Sequence, residues 1–97
     1  MLLVDKAGND IPTNSLIRWN VWDNDLGNNW SFIGLVKKAC VVYLGGGNDQ
    51  GNAIGYKMNF DDVIEQSETN DGDMAGITVV GNWFELREVL STNFPQR

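Results

Sequence analysis

Few residues in this chain have the chemistry to react. There is no histidine, and the one cysteine, Cys40, lies in the apolar run Ala39-Cys40-Val41-Val42, where it reads as a small buried hydrophobe rather than a reactive thiol. No serine has an evident base close by in sequence, and the adjacent carboxylates Asp61 and Asp62 would face opposite ways on a strand. The expectation is a protein that is not an enzyme and carries no cofactor. Asp23, Asp25 and Gly27 have the spacing of part of a calcium loop, but Gly34 stands where the closing glutamate belongs, so no metal site is expected. The glycine-rich stretch Gly45 to Gly51 lacks the Gly-Lys-Ser/Thr ending of a phosphate-cradling loop, which argues against nucleotide hydrolysis.

Residues suited to binding remain. Trp19, Trp22, Trp30 and Trp83 offer rings that could stack on the bases of a single strand, although one or two in the core and one in a subunit contact is the preferred division. The formal charge is −6, and Asp61, Asp62, Glu65, Glu68, Asp71 and Asp73 fall in one stretch with no Lys or Arg among them. Such a stretch repels phosphate. It is either a solvated face that keeps a small protein soluble or a docking site for a basic partner.

The elements that position these groups are short. Ninety-seven residues make one domain, with all of 1–97 in it, and eleven glycines against two prolines suit strands joined by tight turns. Leu16 to Trp22 alternates, with Ile17, Trp19 and Val21 on one face, and Asp23 to Asn29 is a turn. Trp30 to Val36 reads as strand or a short turn of helix, Ala39 to Leu44 as a strand, and Gly45 to Gly51 as a flexible connection. Ala53 to Met58 alternates Ile54, Tyr56 and Met58 against Ala53, Gly55 and Lys57, and is predicted to be the next strand. Phe60 to Ser67 is open between a strand and a helix capped by Asn59 with Phe60, Val63 and Ile64 along one stripe.

Two apolar runs hinge on Gly81-Asn82. Ile77 to Val80 is β-branched and suits a strand, and the Gly-Asn pair predicts a hairpin into a second strand from Trp83 to Val89. A competing reading makes Asn82 and Glu85 a capping box that opens a helix. The hairpin is preferred because the first run ends at a hairpin dipeptide. Ser91 to Arg97, with Pro95, is expected to fray. The summed expectation is mainly β: a small, strongly bent, antiparallel five-stranded barrel with at most one short helix. No stretch looks like a signal peptide or a bilayer span, which predicts an intracellular, cytoplasmic protein with no membrane contact.

The order of these signals resembles the Sm and LSm family of small ring-forming RNA-binding proteins, which includes bacterial RNA chaperones. In that family a strand ending in Leu leads through a Gly-containing turn to G-x-L-x-x-F-D-x-x-M-N-L-V-L and later to I-R-G-N-x-I. Here Val41 to Gly47 is similar to the first part, Met58-Asn59 matches the M-N pair, and Val79 to Phe84 is similar to the last. Gly55 stands where the family has Asp, extra residues separate Asn59 from Val63, and Val80 replaces the Arg before Gly. In size and acidity the chain looks closest to Sm-like proteins of marine phage and ocean-metagenome origin.

The resemblance implies a bent barrel whose edge strands pair between subunits into a closed homo-oligomeric ring that takes RNA, or single-stranded nucleic acid, on its inner rim. Carried over by position, Asn59 would contact a base or ribose, Tyr56 and Met58 would lie near it, and Gly81 with Asn82 would form the second loop of the pocket. Lys57 is the nearest cation. Against this stands an acidic protein-interaction module, a phage adaptor or inhibitor binding a basic host protein. Net charge favours that second reading, and motif order favours the first.

Overall fold

The structure is a computed structural model that describes residues 3–47 and 53–93, with the side chain of Asn93 left aside. The described part is mainly β. Five antiparallel strands run β1 (Ser15–Asp23), β2 (Asn28–Val36), β3 (Cys40–Gly46), β4 (Lys57–Asn59) and β5 (Ile77–Asn82), in the sheet order β4-β3-β2-β1-β5. Two short helices, α1 (Phe60–Ser67) and α2 (Leu86–Asn93), lie one on each face.

β1 forms where the alternation predicts it, with Ile17 paired to Gly34 and Trp19 to Phe32 on β2. Trp19 is wholly buried and meets Phe32 edge-to-face at 5.9 Å between centroids. At Gly34 a Cβ would collide with Val41 and press on the Trp19 ring, so a glycine here is what lets the indole lie flat against the sheet. Trp30 to Val36 is strand throughout, because both of its neighbours are strands.

The sheet bends at two bulges. Val80 is the extra residue opposite Leu16 and Ile17, and Leu44 is the extra residue opposite Ile33 and Gly34. Bending does not close it: among the described residues β4 pairs only with β3 and β5 only with β1. The expected barrel is therefore a strongly bent but open sheet.

Each face has its own core. Ile17, Trp19, Val41 and Ile77 pack against Phe60 and Val63 of α1, with Leu3 and Ile11 of the N-terminal segment alongside. On the other face Leu16, Ile33 and Leu35 pack against Val89 of α2, with Val80, Leu86 and Leu90 at the margin.

The hairpin expected at Gly81-Asn82 does not form. Strand β5 continues through both residues, and Trp83–Glu85 is a single 3₁₀ turn that runs on into α2. The Asn82 side chain accepts from the Phe84 amide at 2.9 Å, and the Asn82 amide donates to Glu85 Oε1 at 3.3 Å. That capping box, together with an apolar stripe that finds Leu16 and Leu35 to cover, outweighs the turn preference of the dipeptide.

The strand expected over Ala53 to Met58 also shrinks. Ala53–Gly55 is a turn with Gly55 at φ 91°, and only Lys57–Asn59 joins the sheet. Gly55 supplies the left-handed backbone that this turn needs, so the chain reverses there instead of running on as strand. Phe60 to Ser67, left open by its pattern, is helical and buries Phe60, Val63 and Ser67. No helix among the described residues is long and apolar enough to cross a membrane. Part of the expected Gly45 to Gly51 connection, residues 48–52, and the end of the expected frayed tail, residues 94–97, lie outside the described residues.

Candidate binding groove beside the first helix

The turn at Ala53–Gly55 brings the chain back onto β3. The Tyr43 amide donates to the Tyr56 carbonyl at 2.8 Å, and the Gly55 amide donates to the Tyr43 carbonyl at 2.7 Å. From there strand alternation sorts the expected site residues onto two faces. Met58 pairs with Val41 and Lys57 with Val42, so Met58 lies on the α1 side with Tyr56, while Lys57 and Asn59 face the α2 side.

Tyr56 and Met58 are thereby joined to α1. They line a cleft of about 390 Å³ whose other wall is Asp62, Glu65, Gln66 and Thr69. An adjoining hollow of about 300 Å³ continues from the same Tyr56 and Met58 toward Phe32 and Tyr43. Phe32 and Tyr43 meet edge-to-face at 5.6 Å between centroids, and the Tyr43 hydroxyl donates to the Gly46 carbonyl at 3.0 Å. The floor is rigid. A Cβ on Gly46 would run into the Ser31 carbonyl, so the close approach of β3 to β2 under the hollow requires glycine.

Gln66 is fixed at the back of the groove, where its Oε1 accepts from the buried Trp19 indole at 2.9 Å. Asp62 and Glu65 are three apart on α1 and share one stripe of its surface. Both are exposed, and so is Tyr56, at 64 %. No Lys or Arg among the described residues lines either part of the groove. An aromatic and thioether floor with a carboxylate wall can accommodate a group that is apolar along its length and positive at its tip.

No protein-family model matches this chain, and no curated protein or solved structure matches it either.

The remaining site residues lie elsewhere. Asn59 pairs with Cys40 and borders a shallow depression with Lys38 and Asp61. Gly81 pairs with Leu16 beneath α2, where a Cβ would stand 2.9 Å from a Val89 methyl, so its role is to let the helix close on the strand. Asn82 pairs with Ser15 and caps the 3₁₀ turn. Asn59 and Asn82 occupy the same end of the sheet but opposite edges, with three strands between them. Of the six expected residues one chain brings Tyr56 and Met58 together, with Lys57 and Asn59 next to them in sequence but on the other face.

The Asp23 turn is a structural device. The Asp23 carboxylate accepts from the amides of Asp25 and Leu26 and from the Trp30 indole at 3.0 Å. The indole bond, with the amide bonds behind it, holds its pKa below the usual aspartate value. Its oxygens are occupied by the turn, and among the described residues no three Cys, Asp or Glu side chains are grouped to hold a metal.

The carboxylate wall is not legible in the linear sequence. Asp62 and Glu65 were visible as acids, but their alignment with Tyr56 needs α1 to be a helix that doubles back over β4.

Proposed function

We propose that the protein is a non-catalytic interaction module that presents the α1 side of its sheet to a basic protein partner. The observation that carries this reading is the groove in which the exposed Tyr56 and the half-buried Met58 stand opposite Asp62 and Glu65 with no cation among its described lining residues. An apolar centre with a charged rim is the anatomy of a protein interface.

The charge distribution on α1 supports it. Asp61 and Asp62 lie in the first turn, where the helix dipole favours anions, but Glu65 and Glu68 stand toward the C-terminal end with no basic residue in the last turn. Cations supplied by a partner would relieve that excess of negative charge. The rest of the −6 formal charge steers in the same direction.

A second reading, a ring of Sm-like subunits that binds RNA or single-stranded nucleic acid, draws support from the open sheet edges. β4 and β5 are both unpaired on their outer sides among the described residues, and Asn59 and Asn82 sit at the same end. Pairing β4 of one copy with β5 of the next would bring Asn59 beside a neighbour's Gly81 and Asn82. The carboxylates at the groove weigh against phosphate there, which places this reading second.

One experiment separates the two. The full chain is titrated with a lysine- and arginine-rich peptide and with short single-stranded RNA and DNA, each at low and high salt, and its mass in solution is measured. The interaction module binds the peptide, loses it on Asp62→Asn with Glu65→Gln, and ignores the oligonucleotides. Oligonucleotide binding by a multimer, weakened by Asn59→Ala and Lys57→Ala and falling steeply with salt, would replace the first reading by the second.

A further inference from the structure

We infer that the groove between β4 and α1 is a receptor for an arginine side chain of a polypeptide partner, selecting guanidinium over ammonium. This rests on the interaction reading above and makes it specific.

The argument is one of shape and charge together. The floor, made by the Tyr56 ring, the Met58 thioether and, further in, Phe32, matches the apolar stem of a long side chain, which keeps its methylenes on apolar surface while its charged head stays in water. The Tyr56 ring is 64 % exposed and offers a face for a flat cation. Asp62 and Glu65, one helical turn apart, set two carboxylates along the same wall, which either cation can approach but which a flat, forked, five-donor group can meet while its plane lies on the ring. Guanidinium is also the more weakly hydrated of the two cations, so it surrenders less water on lying against an aromatic ring.

Other occupants fit less well. A nucleotide would bring phosphate to the carboxylate wall. A bare metal ion would find two carboxylates where the described residues group no third ligating side chain. Gln66, the polar neighbour of the wall, carries no charge to offset it, and its Oε1 is held by the Trp19 indole at 2.9 Å.

The test uses the full chain and short Gly-Ser peptides bearing arginine, lysine or citrulline at the same positions, followed by calorimetry and by backbone amide shifts at low salt. The arginine peptide is expected to bind about two- to fivefold more tightly than the lysine peptide, the range of an exposed cation–π contact. The citrulline peptide, with the same shape and no charge, should not bind. Tyr56→Ala should erase the arginine preference while leaving weak binding of both cationic peptides, and Tyr56→Phe should keep it. Because Tyr56 is exposed, these variants fold as the parent does. Equal affinity for arginine and lysine, or a preference untouched by Tyr56→Ala, overturns the arginine receptor and leaves the interaction module standing. Failure of both cationic peptides to bind overturns both.

Discussion

Asn59 and Asn82 each precede a helix, and the two helices are held in opposite ways. Asn82 makes a complete capping box with Glu85, while Asn59 makes no side-chain cap bond at all. Yet α1, behind the idle asparagine, buries Phe60, Val63 and Ser67, whereas α2 buries Val89 with Leu86 and Leu90 only partly covered. One helix is formed by what it packs against, the other is started by its own sequence and then weakly packed. Isolated helices of this length are unstable in water, so burial decides for α1 and capping makes up part of the shortfall for α2.

The contrast can be broken by substitution. Phe60→Ala should cost the most, about 3–5 kcal/mol, because it empties the junction between α1 and the Trp19 face. Chemical denaturation followed by tryptophan fluorescence reads this directly. Val89→Ala should cost about 1.5 kcal/mol, from two methyl groups withdrawn from a smaller core. Asn82→Ala should cost about 1 kcal/mol, seen as faster hydrogen exchange of the α2 amides before global unfolding. Asn59→Ala should cost less than about 0.5 kcal/mol, since no cap bond is lost. If Asn59→Ala and Asn82→Ala proved equally costly, the proposed difference between the two helices would be wrong.

The smallest effect concerns a third locally wired segment, the turn at Asp23. Its carboxylate is bonded by the Trp30 indole and two turn amides, which lowers its pKa below 3.8. A lowered carboxylate stabilises the fold above the unfolded-state pKa, and that contribution is lost as pH falls through the lower folded value. An NMR titration of the Asp23 carboxylate should therefore have its midpoint below 3.8, and Trp30→Phe, which removes the indole donor, should raise it. A midpoint unmoved by Trp30→Phe would mean that the amides alone set it.

How far the site could be read in advance follows the same division. Tyr56 and Met58 share a face in the alternation of the sequence and line one groove in the structure, because alternation on one strand end is local information. Their partners were not found, since Asp62 and Glu65 meet them only through the fold of α1 over β4. Lys57 and Asn59, adjacent to them in sequence, are turned to the opposite face by the same alternation. Gly81 and Asn82 looked like a turn, and the structure uses them for close packing and capping.

By itself the sequence determined the strands with strict alternation or β-branched runs, β1, β3 and the start of β5, as well as the Asp23 turn and the shared face of Ile17, Trp19 and Val21. These depend on a period of two and on the side-chain chemistry of neighbouring residues. Only the tertiary structure decided that 60–67 and 83–93 are helices, that the sheet stays open, and that carboxylates face an aromatic floor. An eight-residue stripe fits either a helix or a strand until a surface exists for it to bury, and in this chain that surface is made by strands dozens of residues away.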